Sequence, residues 1–317
     1  MIPFEWYDRK GCCGRGGFTR VRRAGRIEDG VGARSGCNPG WITIRLKAAA
    51  LNWHDILVRQ DKYSSPLPHV LGADGAGTRT DTGEEVLVLP SLWWGDRDAA
   101  PSVQWEILGD HQRGTYAELV RVPKDCVAPK PHGLSWEQTA ALPLVGLTTY
   151  RALFTRGRLR AGENLLVLGA GGGVATMAVM LAFAVGANVT VTSSSASKIA
   201  QAVGLGAANG VLYTNAEWPE EARQLTPEGQ GFDLVLDSVG TWEQSITALR
   251  PGGRLVVLGA TRNELATLGR PALLLRPVRT DRDHDGQSPG LHGATDTAGY
   301  RNRPARTHQC DISPRRG

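Results

Sequence analysis

The stretch VLGAGGGVA at residues 167–175 decides how this chain is read. It is preceded by ENLLVL (163–168), a short apolar run of strand character, and it opens VATMAVMLAFAV (174–185), an apolar segment of helical length. A tight turn between strand and helix needs positive φ, and a pyrophosphate laid across it needs bare backbone. Gly169, Gly171, Gly172 and Gly173 supply both. The helix that begins around Val174 adds unpaired N–H groups and the positive end of its dipole. These five residues are the expected phosphate cradle of a dinucleotide. A glycine triplet alone is weak evidence, since a glycine-rich turn also serves α/β proteins of other use, so its surroundings must decide.

Downstream, strand and helix patterns alternate. NVTVT (188–192) reads as strand, SKIAQAVG (197–204) as helix and GVLY (210–213) as strand. PEEARQLT (219–226) and WEQSITAL (242–249) read as helices, and DLVLD (233–237) and RLVVLG (254–259) as strands. That alternation predicts βαβ units on a parallel sheet. Upstream the pattern differs. WITIRLKAAALN (41–52), EEVLVLP (84–90) and YAELVRVP (116–123) are strands with turn punctuation, as in a compact β-rich domain. Ser135 and Gln138 form a capping box that opens a helix over 134–144, and LTTYRALFT (147–155) continues as helix.

The strand after the glycine turn ends in TSSSASK (192–198). An NAD site usually places an Asp or Glu here for the ribose 2′-hydroxyl. Ser193, Ser194 and Lys198 suit a 2′-phosphate instead, so NADP is favoured over NAD. The plainer alternative is that Ser195 caps the next helix and Lys198 is a solvated surface lysine.

The net charge of +5 is uneven. Residues 1–40 hold eight Lys/Arg against four acids, and 269–317 hold nine against five, whereas the middle is slightly acidic. Neither basic end has helical or strand periodicity, so nucleic acid is not an expected partner. The longest apolar run, 12 residues, falls short of the roughly 20 that a membrane span needs. No signal-peptide pattern is seen at the start, and a cytoplasmic location is expected. The five cysteines show no C-x-x-C or other usual zinc spacing.

Residues 41–268 resemble the medium-chain dehydrogenase/reductase superfamily, and within it the zinc-independent quinone oxidoreductase-like and zinc-type alcohol dehydrogenase-like branch. The resemblance rests on AAALNWHDILVRQ (48–60), PLPHVLGADGAGT (66–78), GDHQRGTYAELVRVP (109–123) and LPLVGLTTYRAL (142–153). It rests also on the glycine turn, GFDLVLDSVG (231–240) and ALRPGGRLVVLGAT (248–261). It implies a GroES-like β domain over 41–140, a Rossmann NADP-binding domain over 141–268, and an active site between them. It also allows a test for zinc. Zinc-dependent relatives carry a Cys where this chain has Asn52, Gly-His-Glu where it has Gly72-Ala73-Asp74, and a Cys at Leu144. Their structural-zinc loop has four cysteines, while 91–112 has none. A catalytic zinc needs about three protein ligands, so no metal is expected.

Without a Lewis acid, the accessible reaction is hydride delivery to an activated acceptor, a quinone or an α,β-unsaturated carbonyl. By resemblance, Asn52 faces the nicotinamide end and Thr148 the nicotinamide ribose or ring. Tyr213 lies beside the cofactor phosphates, and Gly259 and Ala260 line the cofactor cleft. His54 and Tyr63 are weak candidates for proton donors, better read as a polar surface histidine and a loop tyrosine. Trp93, Trp94 and Trp105 either wall the acceptor site or pack where the zinc loop would be. The alternatives are a non-catalytic NADP-binding protein or the inactive product of a frame-shifted gene, and then an alcohol dehydrogenase. The resemblance suggests a homodimer.

The two ends, 1–40 and 269–317, do not resemble the family. Both read like GC-rich DNA in the wrong frame. Back-translation of 6–41 with freely chosen codons, read one base later, permits a family-like N-terminus with its own start Met. The same shift from Pro271 permits a family-like last-strand region. A frame displaced near Gly40 and again near Gly269 is therefore expected. Both ends should then be disordered and the chain poorly stable, with β edges left uncovered.

Overall fold

The computed structural model describes residues 40–258 and the backbone of 279–282. The chain opens with β1 (Trp41–Ala50), α1 (Trp53–Arg59), β2 (Asp74–Arg79) and β3 (Glu85–Val88). The short pair β4 (Ser91–Leu92) and β5 (Glu106–Ile107) follows, then β6 (Leu119–Pro123) and β7 (Val127–Pro129). Five of these form an antiparallel sheet in the order β6-β1-β2-β3-β7. The alternation read in WITIR holds. Ile42 and Ile44 turn inward onto Val86, Val88, Leu92, Val120 and Val122. β2 was not expected, because DGAGTR is poor in the β-branched and aromatic residues that mark strands. Its glycines answer a steric demand: a Cβ on Gly77 would lie 2.1 Å from the Arg45 carbonyl oxygen of β1.

The second half begins with α2 (Trp136–Ala140) and α3 (Pro143–Tyr150), which continues into a π-helix at Arg151–Arg156. The Ser135/Gln138 capping box is formed, with Gln138 N donating to Ser135 Oγ at 3.1 Å and Ser135 N to Gln138 Oε1 at 3.0 Å. The single helix expected over 134–144 is instead two. Pro143 has no N–H to continue α2, and it starts α3 at the first helical position, where none is needed.

From there the alternation runs β8 (Asn164–Val167), α4 (Gly173–Ala184), β9 (Asn188–Ser193), α5 (Ala196–Gly204) and β10 (Asn209–Leu212). Then come α6 (Trp218–Gln224), β11 (Phe232–Asp237), α7 (Trp242–Ala248), β12 (Leu249–Val257) and β13 (Arg279–Arg282). The sheet is parallel throughout, in the order β10-β9-β8-β11-β12-β13. Every residue of β11 is buried, as a central parallel strand covered on both faces requires. A GroES-like antiparallel domain thus precedes a Rossmann-type sheet.

One expectation fails at four residues. The tail 269–317 was expected to be disordered, yet Arg279–Arg282 pairs with Arg254–Val257 as β13. Main-chain pairing needs no side-chain pattern, and the outer edge of β12 offers a row of otherwise unpaired N–H and C=O groups. Gly259 and Ala260, the head before Gly40 and the rest of the tail lie outside the described residues. Among the described residues, no helix is long and apolar enough to cross a membrane.

Candidate active site

The strand order reverses between β8 and β11, and the glycine turn leaves the carboxyl end of β8 at that point. This is where open α/β sheets bind ligands. Gly169 and Gly171 have φ of +80° and +100°, which side chains disfavour. Gly171, Gly172 and Gly173 are exposed, and α4 begins at Gly173, after Gly172 at the N-cap, with no side chain capping its N–H groups. The donors are free to meet an anion, so this cradle fits a pyrophosphate.

The neighbours of the turn matter as much as the turn. A Cβ on Gly171 would lie 2.9 Å from Lys198 Cδ, so the lysine stem runs over the turn. Ser193 is buried and its Oγ accepts from Ser195 N at 3.3 Å, while Ser194 is exposed. Ser195 starts α5 but makes no side-chain cap bond; its Oγ pairs with Ser197 Oγ at 2.8 Å. Ser195 thus holds the N-cap position of α5 without a side-chain cap bond, and Lys198 is exposed, so the plainer alternative stays open. Tyr213 donates its N–H to the Ser193 carbonyl at 3.0 Å, joining the same carboxyl edge.

Sequence reasoning did not single out Asp237. Fully buried at the end of β11, it accepts from Val239 N and Gly240 N (both 2.8 Å), Thr241 N (3.1 Å) and Ser245 Oγ (2.9 Å). It fixes the loop that faces the glycine turn, where a Cβ on Gly169 would lie 3.6 Å from Val239 Cγ2. An Asp closing an apolar strand just ahead of a glycine was the available signal.

The second part of the site gathers three remote positions. Asn52 caps α1, and its N–H donates to Asp55 Oδ2 at 2.7 Å. Its Nδ2 donates to Asp74 Oδ2 at 2.9 Å, and Leu144 N donates to Asp74 Oδ1 at 2.8 Å. Tyr116 OH donates to Asp55 Oδ2 at 2.8 Å, and Thr115 Oγ1 to the Asp74 carbonyl at 2.7 Å. Burial pushes the Asp74 carboxyl up to about 7, against the pull of the Asn52 and Leu144 hydrogen bonds; the nearby Asp55 charge adds to the rise. Burial also raises Asp55, and burial beside Asp55 raises the Tyr116 phenol.

Thr148 stands one turn beyond Leu144 on α3 and is half-buried. Val145, between them, packs on the glycine turn: a Cβ on Gly173 would lie 3.1 Å from Val145 Cγ1. Asn52, Asp74, Leu144 and the turn are therefore linked through α3. His54 is not a surface residue. Its side chain is 10 % exposed, its Nε2 lies 2.6 Å from Asp110 Oδ1, and its ring is 4.8 Å from that of Tyr63. A carboxylate 56 positions away and out of pattern hid that environment.

The positions that match zinc ligands carry an amide already bonded to Asp74, the methyl of Ala73 and the apolar chain of Leu144. That donor set does not fit zinc. Among the described residues, no group of three His, Cys, Asp or Glu could hold a metal. The loop where the resemblance would put structural zinc is packed by aromatics. Trp94 meets Trp105 edge-on at 5.6 Å, Trp105 Nε1 donates to Ser91 Oγ at 2.8 Å, and Arg151 lies 4.5 Å over Trp94. Trp93 packs at 6.2 Å from Trp41. Each of the three tryptophans thus has a packing partner.

Residues 38–132 match the family of alcohol dehydrogenase GroES-like domains, and 173–279 match the family of zinc-binding dehydrogenases. A zinc-type alcohol dehydrogenase-like protein of Schizosaccharomyces pombe is 35 % identical over 246 residues, spanning 73 % of this chain and 70 % of that one. A solved NAD-dependent alcohol dehydrogenase shares 38 % identity at a TM-score of 0.73, covering 77 % of this chain and 76 % of the other. The quinone oxidoreductase of Thermus thermophilus, solved also with NADPH, shares 32 % identity at a TM-score of 0.64, covering 78 % and 73 %.

Proposed function

The chain belongs to the medium-chain dehydrogenase/reductase superfamily, a family of oxidoreductases, and from that premise we propose that it is a zinc-independent NADPH-dependent reductase of quinones or α,β-unsaturated carbonyl compounds. The observation that carries this reading is the joint at α3. Leu144 is bonded to Asp74 while Val145 packs on Gly173, so the first turn of α3 joins the Asn52 region to the phosphate cradle.

In this reading the cofactor supplies a hydride from its nicotinamide. The glycine turn holds the pyrophosphate, Ser193, Ser194 and Lys198 receive the 2′-phosphate, and Tyr213 lies beside the cofactor phosphates. Asn52 and Thr148 orient the nicotinamide end. A donor set unfit for zinc favours an acceptor that spreads its own developing charge, and the accompanying proton comes from water. We assign no acid–base role to His54 or Tyr63. We also propose a division into a catalytic lobe over 41–140 and a nucleotide-binding lobe from 141, a cytoplasmic location and a homodimer.

Oxidation of NADPH and NADH by a panel of quinones, enones, simple aldehydes and ketones tests the reading. NADPH consumption by a quinone or enone, insensitive to chelators, is expected. A preference for NADH, or activity lost on chelation and restored by zinc, would overturn it. Binding of NADPH with no acceptor reduced would leave a non-catalytic NADP-binding protein.

A further inference from the structure

Asp74 is a deeply buried acid at the centre of the site. It is 1 % exposed, and no cation stands among the groups that bear on its ionisation, which are Asn52, Leu144 and Asp55. A buried carboxyl without a counter-ion works against stability, and such groups cluster where a site needs them. Its two oxygens are divided between elements remote in sequence. Oδ2 takes the Nδ2 of Asn52, which caps α1; Oδ1 takes the N–H of Leu144, in the first turn of α3. Its own carbonyl is held by Thr115 Oγ1. The next residue on α3, Val145, rests on Gly173 of the phosphate turn.

We propose that Asp74 is the positioning residue of the hydride-transfer site, a carboxyl clamp that sets the Asn52 amide and the first turn of α3 in one geometry. The inference rests on the proposed reductase reading. The carboxyl acts through Asn52 and α3 and need not touch cofactor or acceptor. Its particular chemistry matters because both of its partners are N–H donors, and only a side chain with two acceptor oxygens satisfies both.

Three variants separate clamp from scaffold. Asp74→Asn keeps one oxygen for Leu144 but turns an NH₂ toward the Asn52 NH₂, so the Asn52 amide must flip. Asp74→Ala removes both bonds. The exchange Asn52→Asp with Asp74→Asn rebuilds the pair with donor and acceptor reversed. With saturating quinone, kcat should fall by about tenfold or more in Asp74→Asn, because small displacements of a reacting pair are costly in rate. NADPH affinity by fluorescence titration should stay within about threefold, since the phosphate grip lies elsewhere.

Amide hydrogen exchange at Leu144 reads the clamp without turnover. Leu144 should be protected in the parent, in Asp74→Asn and in the exchange variant, and should exchange fast in Asp74→Ala. If the parent reduces no acceptor but this pattern appears, the reductase reading fails and the clamp stands. Unchanged Leu144 exchange in Asp74→Ala overturns the clamp. So does a kcat within about twofold of the parent in Asp74→Asn.

Discussion

Lys198→Ala tests cofactor choice. The Lys198 stem lies over Gly171, with Ser193, Ser194 and Tyr213 at the same carboxyl edge. A 2′-phosphate brought there carries about −1.5 to −2 charges near neutral pH, as phosphate monoesters do. Lys198 is exposed, so water screens the attraction: two unit charges ~4 Å apart gain about 1 kcal/mol in bulk water. The doubly charged group therefore gains about 1.5–2 kcal/mol, or roughly ten- to thirtyfold in affinity. NADH has no 2′-phosphate and should lose almost nothing. Fluorescence titration of parent and variant with NADPH and NADH, at low and at high salt, gives all the required numbers. The variant should lose about ten- to thirtyfold for NADPH only, and the loss should shrink as salt screens the pair. An equal loss for both cofactors would make Lys198 a mere support of the glycine turn. No loss at all would place the 2′-phosphate elsewhere and remove the argument for NADP over NAD.

Gly171→Ala should weaken NADPH and NADH alike, because a Cβ there meets Lys198 at 2.9 Å and intrudes on the phosphate approach. Its φ of +100° adds a stability cost of about 1–2 kcal/mol, read by urea unfolding. Asp74 titrates near 7 in the fold against 3.8 as a free side chain, so the fold favours its protonated form. That contribution is full below about pH 4 and gone above about pH 7, worth up to about 4 kcal/mol at about 1.4 kcal/mol per unit. Parent stability should thus fall with rising pH more steeply than that of Asp74→Asn between about pH 5 and 7, and equal slopes would refute the assignment. Trp94→Leu removes an edge-on aromatic contact and an arginine stack, together worth about 1–2.5 kcal/mol. It should speed proteolysis within 95–101, and an unaltered cleavage rate would show that the backbone bonds alone hold the loop.

What could be read in the sequence was local. The strand–glycine–helix unit, the βαβ alternation and the Ser135 capping box each lie within one short window, and each stands where the pattern put it. β2 escaped because its glycines answer the close approach of Arg45 rather than any strand propensity. The helix over 147–155 hid a π-helical second half, since apolar spacing does not separate 3.6 residues per turn from a wider turn. The amide–carboxyl pair at the heart of the site was beyond local reading. Asn52 and Asp74 are 22 positions apart, and Asp74 and Leu144 are 70 apart. Alignment to zinc ligands showed only what those positions lack; the bonds those positions make instead became visible once β2 and α3 were packed together.

The π-helix contributes to holding the loop at 93–105. Its bonding is wide, with Gly157 N donating to the Ala152 carbonyl at 2.8 Å, five residues back. In an α-helix, residues five apart point about 140° away from each other. In a π turn they come to the same side. Arg151 and Arg156 are such a pair, and both donate to the Ala99 carbonyl, at 3.0 and 2.7 Å. Arg151 also reaches the Asp98 carbonyl at 2.6 Å and stacks on Trp94. One continuous segment, 143–156, therefore receives the Asp74 carboxyl at its first turn, supports Gly173 through Val145, carries Thr148 in the middle and grips the tryptophan loop at its end. That loop is therefore bonded to the same segment that bears the Asp74 bond and the contact to Gly173. The widened turn is thus part of the site's geometry, and it accounts for a π-helix, rare elsewhere, at this position.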